Sequence, residues 1–416
     1  MIWGFFTHGF RISGKKFLAV LFLYFPSFAW FILFQQFSMS LIQDLFSESF
    51  TSNFWMNIGG ALFYISIICS AIIGSMISEK LRRRRFLELW ILLGVITTLS
   101  VIVNQGLLFL LFILVLGGVS FGLGFPYCLA FFAESTNVEE RARVAGALIF
   151  TTFFSIILCI VVSTGLQCGL IEYVFICALL RSISFFSILI DPHERIVCKE
   201  RGWMTIFTTR GLGLYYLSWL MFSVAAGIFT IVELPDYLQT ESISVLKSVF
   251  LYLGVILSSL FSGFAADHFG RKRTIMFGSI ILGISYTVFS IATDEPSFLL
   301  TRIISGVAWG IIFVAYMLTV VGDLATTCSK EKFYAIGVVV PIIVFMVFQS
   351  FSGTFTPSVP IGAISAILSI LLFISVIPLL YAPETLPIDK IRQRRFEKHL
   401  RKLKKLVKEE RNRSDS

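Results

Sequence analysis

A chain of 416 residues that is 56% hydrophobic and 14% charged, with a mean hydropathy of +0.87, cannot fold in water without leaving most of its apolar surface wet. Soluble domains carry about 25% charged residues; here the charges gather in short clusters between long uncharged stretches, the pattern of an all-α integral membrane protein and not of a secreted, nucleic-acid-binding or fibrous one. The formal net charge of +9 then belongs to loops facing anionic lipid.

Taken in chain order, uncharged runs near the roughly 20 residues that a spanning helix needs predict helices over 17–37, 54–77, 86–103, 107–133, 144–165 and 169–190. The first is too long for a cleaved signal sequence, and no small-x-small site follows it. A charged connector at 191–211 leads to six more helices over 212–232, 248–266, 274–292, 298–322, 334–355 and 361–381. The expected domains are a six-helix half at 1–190, the connector at 191–211, a second six-helix half at 212–381 and a basic tail at 382–416. In the tail, Ile391, Phe396, Leu400, Leu403 and Val407 recur at helical spacing among Lys and Arg. That predicts an amphipathic helix lying on anionic lipid of the inner leaflet, or else a solvated tail or a partner-binding segment.

Twelve transmembrane helices place both termini on one side, and the basic clusters choose the cytoplasm. Arg11, Lys15, Lys16, Arg82 to Arg85, Arg271 to Arg273 and the tail all fall on that side. The opposite loops hold Asp44, Glu48, Glu233, Asp236, Glu241, Asp294 and Glu295 against Lys247. The expected location is the cell membrane, multi-pass. Seven Cys without a CxxC, with Cys69, Cys128, Cys159 and Cys177 inside spans, read as small packers. The four His fall in cytoplasmic segments. Neither a metal site nor a cofactor is expected, and nothing points to an enzyme.

The two halves repeat. One constant offset carries Gly74 to Gly263, Gly117 to Gly306, and Glu134 with Arg141 and Arg143 to Asp323 with Lys330 and Lys332. Each half also ends on Pro and an acid, Pro192 with Glu194 and Pro383 with Glu384.

The run Gly263-Phe-Ala-Ala-Asp267-His-Phe-Gly270-Arg271-Lys272-Arg273 resembles the signature between the second and third helices of each half in the major facilitator superfamily. Arg302-Ile-Ile-Ser-Gly306-Val-Ala-Trp-Gly310 resembles that family's Arg-then-Gly pattern, and Pro383-Glu384-Thr385 resembles the ending of its sugar-porter and organic-ion branches. The first-half copy departs from the signature, with Ser78 in place of Asp and Leu81 in place of Gly, and the fifth span lacks the Gly-Pro pair of proton-coupled drug antiporters.

The resemblance implies two halves that rock about a cavity lined by the first, fourth, seventh and tenth spans. It implies that Asp267 docks at the start of the fifth span near Arg141 and Arg143, and that Gly74, Gly263 and Gly270 permit the tight loop and close helix approach. Glu134, Asp323, Glu194 and Glu384 would complete a network with Arg82 to Arg85, Arg271, Lys272, Arg273 and Lys330. As exposed pairs these would each contribute about 0–1 kcal/mol. The alternative for Arg82 to Arg85 is that they only set topology.

For the cavity, the repeat pairs Tyr127 with Tyr316 and Trp30 with Trp219, as facing residues or as ordinary packing. Arg302, well inside the tenth span, either binds an anionic group, pairs with an acid such as Glu233, or ties helices together. Arg181 lies nearer the midplane but on the sixth, peripheral span, where it contacts substrate or else snorkels or pairs with a helix. Gln35, Gln36 and Gln349 are placed for a polar solute or a neighbouring helix. No Asp or Glu lies at mid-depth in the lining spans, since Glu88 and Glu172 sit near span ends; this favours facilitated diffusion. The expected function is transport of a small organic solute by a monomeric uniporter or symporter, against two alternatives: proton-coupled efflux of amphipathic compounds, or a sensor that kept the fold without transporting.

Overall fold

The computed structural model describes residues 12–46, 49–77, 83–104, 106–191, 206, 209, 211–231, 241–291, 294–325, 330–351 and 361–387. Among them the backbone is helix joined by turns, with no strand. In lipid this is what the backbone requires, because each N–H and C=O must find its partner within the segment. The first half comprises α1 (Gly14–Asp44), α2 (Ser49–Ile77), α3 (Arg83–Ser100), α4 (Leu107–Ser135), α5 (Arg141–Gly165) and α6 (Leu170–Ile190). The second comprises α7 (Leu212–Ile231), α8 (Glu241–Phe269), α9 (Arg271–Ile291), α10 (Glu295–Leu324), α11 (Lys330–Phe351) and α12 (Gly362–Tyr381).

Eleven of these helices are long and apolar enough to cross a membrane. The other, α3, opens with Arg83, Arg84, Arg85 and Glu88, of which Arg84 and Glu88 form an i,i+4 pair at 2.9 Å. The outer faces are apolar, with Leu108 80% and Phe261 69% exposed, a surface suited to lipid.

Several helices run past the uncharged windows. α1 continues to the exposed Asp44, while α5 starts at Arg141 and α11 at Lys330, whose charges find partners and need not end the helix. α6 is broken at Ile183 and Ser184, and α12 at Ser375. α10 changes from α to π-helix over Phe313–Val320, where the Thr319 hydroxyl donates to Val314 O five residues back at 2.6 Å. Its repeat mate α4 is α-helical throughout. The tail from 388 on, residues 192–205 and residues 78–82 of the first-half signature lie outside the described residues.

Within each half the same pairs pack closely, α2 on α4 and α8 on α10. Gly74 lies against Leu123 O of α4, where no side chain has room. The halves meet along α5 with α8 and along α2 with α11. At the first seam a Cβ on Gly146 would strike Ser259 O, and one on Gly263 would strike Ala142 O, so these two glycines set the approach of the halves.

Candidate translocation cavity and its closed end

A cavity of about 470 Å³ lies between the halves, within the size range of small-molecule sites. Its first-half wall is one face of α1, carrying Phe28, Phe31, Gln35 and Gln36, with Phe121, Phe125 and Phe153 of α4 and α5. The rings stack on one another: Phe31 and Phe121 centroids are 3.8 Å apart, Phe121 and Phe125 4.4 Å. The second-half wall is one face of α10, with Arg302, Ser305, Trp309 and Phe313 at spacings of three and four, beside Trp219 of α7 and Tyr252 of α8. Gln35 Nε2 donates to Tyr64 Oη and Gln36 Nε2 to Tyr252 Oη, both at 2.8 Å, and the second bond crosses from one half to the other. The Arg302 guanidinium sits over Phe229 at 5.3 Å and Phe298 at 5.0 Å, and its Nε is buried without a hydrogen-bond partner.

Of the residues expected in the cavity, Gln35, Gln36, Trp219 and Arg302 line it. Tyr127, Tyr316, Trp30 and Gln349 do not. Tyr127 faces α3, its ring 5.9 Å from Phe86 and under the Arg83 guanidinium at 5.2 Å. Tyr316 lies behind Trp219, stacked on it at 4.9 Å, and its hydroxyl donates to Tyr215 O. Trp30 Nε1 donates to Thr98 Oγ1 of α3 at 2.7 Å. Gln349 packs on Gly60 of α2. The repeat sets how deep a residue lies; each residue turns a helix by about 100°, so equal depth does not mean equal facing. The α10 lining residues that sequence reasoning missed were marked by spacing: Ser305, Trp309 and Phe313 share the helical face of Arg302.

Arg181 is fully buried within the first half and does not snorkel. Its guanidinium lies 4.1 Å over Trp90 and 5.2 Å from Trp30, and donates to Ser27 Oγ at 2.5 Å and to Trp90 O at 3.3 Å. The partner Glu233 weighed for Arg302 lies outside the described residues.

At the other end of the bundle an ionic network crosses between the halves. Asp267, with no exposed surface, accepts from the free N–H groups of the first turn of α5, Ala142 N at 3.3 Å and Arg143 N at 3.0 Å. It also takes Arg143 Nε at 3.0 Å and Arg271 Nη1 at 2.6 Å. Arg271 reaches on to Asp323 at 3.2 Å and to Val138 O at 2.5 Å. Arg141 meets Asp323 at 2.5 Å, Lys330 meets Ala133 O at 3.2 Å, and Arg83 holds Glu134 at 2.9 Å and Glu331 at 3.5 Å.

Gly270, at φ +107°, makes the turn that aims Arg271 N at Glu384 Oε1, 2.8 Å away, and Thr385 Oγ1 bonds Asp323 at 3.2 Å. Lys272 instead caps α12 within its own half, through Leu380 O and Ala382 O. The expectation of exposed pairs is corrected: the arginines here are 7% exposed or less, because the close seam of α5 and α8 shuts water out.

Residues 211–411 match the sequence model described as the Major Facilitator Superfamily. That stretch is nearly half of the chain, and over it the chain is similar to the major facilitator superfamily. The fold is similar to that of the proton:xylose symporter XylE bound to 6-bromo-6-deoxy-D-glucose, at TM-score 0.68 and 14% identity, over 89% of this chain and 95% of that one. It is similar also to the human organic anion transporter MFSD10, at TM-score 0.67 and 14% identity, over 89% and 99%. Such identities speak to fold alone. A 77-residue stretch is 32% identical to Multidrug resistance protein 2 of Bacillus subtilis (strain 168), covering 18% of this chain; the match spans about a fifth of that relative's length, 19%. The chain shares the fold of these transporters, and eleven of its described helices are long and apolar enough to make it a multi-pass membrane protein.

Proposed function

We propose that this protein moves a small organic solute across the cell membrane by alternating access, as a uniporter or symporter, with twelve spans, both termini in the cytoplasm and the monomer as the working unit. The observation that carries the reading is a ring-lined cavity between the halves, with a buried ionic latch joining the halves beyond its one end. A buried ion pair is roughly balanced against its hydrated partners, whereas removing one partner costs about 3–5 kcal/mol. A network of this kind can part and reform as a unit while holding tightly to any single missing member. Gly74, Gly263, Gly270, Arg83, Glu134, Arg141, Asp267, Arg271, Asp323 and Lys330 are proposed as its working parts, with Gln35, Trp219 and Arg302 as solute contacts.

Uptake into vesicles containing the purified protein tests this. We expect saturable flux that falls at least about tenfold in Asp267→Asn, since the amide leaves Arg143 and Arg271 short of charge. Unchanged flux in that variant would remove the latch from the mechanism, and no saturable flux of any solute would favour a non-transporting role.

The stretch shared with Multidrug resistance protein 2, together with the aromatic walls, supports a second reading, proton-coupled efflux of amphipathic compounds. No Asp or Glu stands among the described lining residues, so a proton has no carboxylate to ride there. Flux that follows an imposed pH gradient would favour efflux; flux indifferent to it would favour uniport.

A further inference from the structure

We propose that the cavity is built for an amphipathic organic monoanion, whose acidic group docks on Arg302 while its apolar body lies against the rings. This rests on the transport reading for what happens next, but not for the binding itself. The argument begins with how the chain treats its other arginines. At the latch, Arg83, Arg141, Arg143 and Arg271 each hold a carboxylate. Arg181, away from the cavity, donates to Ser27 and to Trp90 O.

Arg302 is the one charged side chain among the described lining residues; its Nε is unpartnered like those of Arg83 and Arg181, but unlike theirs its guanidinium makes no hydrogen bond or ion pair with a described residue. Lys247 of α8 adds a second positive charge close to it. Two phenyl faces offset only part of what a guanidinium loses on leaving water. A carboxylate or similar planar oxyanion fits its fork and restores the rest.

The remaining lining selects the body of the ligand. Gln35 is bonded to Tyr64, Gln36 to Tyr252, and Ser305 to Ser285 at 2.7 Å. These polar groups satisfy one another, so a polyhydroxylated solute would have to break them to be held. An aromatic or aliphatic body meets instead Phe31, Phe121, Trp309 and Phe313, surface it can cover without such exchange. The class indicated is therefore an apolar acid, neither a sugar nor a cation.

A matched series isolates charge at constant shape: 2-naphthoate, 2-naphthamide and 2-naphthylmethylammonium. Each is titrated against the purified full chain in detergent, reading the thermal midpoint and tryptophan fluorescence. We expect the carboxylate to bind at least about tenfold more tightly than the amide, and the ammonium most weakly. In Arg302→Gln the series should collapse to the affinity of the amide, whose persisting binding shows the cavity folded; Arg302→Lys should keep part of the preference for the acid. A preference for the ammonium, a carboxylate preference that survives Arg302→Gln, or binding by none of the three overturns the assignment. Carboxylate binding without vesicle flux would sink the transport reading and leave this site standing. Saturable flux of the ammonium would do the reverse.

Discussion

Two buried arginines on one chain show how the same residue serves different ends by its partners. Arg271 has no exposed surface and spans Asp267, Asp323 and Val138 O in three directions, a geometry only a planar fork supplies. Arg271→Lys keeps the charge and loses the reach, so it is expected to cost about 3 kcal/mol of the closed arrangement, against about 5 for Arg271→Ala. Thermal midpoints measured with the signature loop intact should fall in that order; equal midpoints would show that charge alone matters. Arg181 faces two indoles and meets no carboxylate among the described residues. There a volume-conserving apolar side chain costs little or stabilises, so Arg181→Met should hold the midpoint within a few degrees while Arg181→Ala lowers it through the void beside Trp90. A collapse in both variants would mean that the cation itself holds α1, α3 and α6 together.

At the scale of helices, what the sequence discloses is depth. The uncharged runs, the repeat from Gly74 to Gly263 and the acid-base spacing from Glu134 and Asp323 all mark how far along a helix a residue lies, and the structure brings Asp267 to Ala142 and Arg143 as the signature implies. Facing is not written so plainly in a chain apolar on all sides. Tyr127 and Tyr316 share a depth, and both turn toward neighbours in their own half. The π segment Phe313–Val320 in α10, absent from α4, shifts the phase between repeats, and nothing in its composition announces it. It also sets the face that carries Arg302, Ser305 and Trp309. Deleting Val314 would return the segment toward α-register and turn that face by roughly 100°. Helicity by circular dichroism should then be retained while naphthoate binding is lost; binding that survives would show that the π turn is incidental to the site.

For the whole molecule, the latch and the cavity are two halves of one equilibrium. Cavity residues lie along the middle of α1, α4, α8 and α10, and the ionic network around Asp267 seals the bundle beyond them. The structure therefore shows the conformation shut at the Asp267 end. Reversing a 99:1 preference fully takes about 5.5 kcal/mol. Losing one buried partner costs the shut form about 3–5 kcal/mol, enough to carry the balance past even without abolishing the fold.

Ala226 lines the cavity on α7 and reports on access. In vesicles of known orientation, Ala226→Cys should react with a membrane-impermeant thiol reagent from the outside in an otherwise wild-type chain lacking its native cysteines. Adding Asp267→Asn should slow that reaction and open labelling from the inside. Gly263→Val should act in the same direction, because its side chain would push against Ala142 O and part α5 from α8 without touching any charge. If the charge variant shifts access and the steric one does not, the seam follows the ions; if both shift it, the latch and the glycine contact close as one unit.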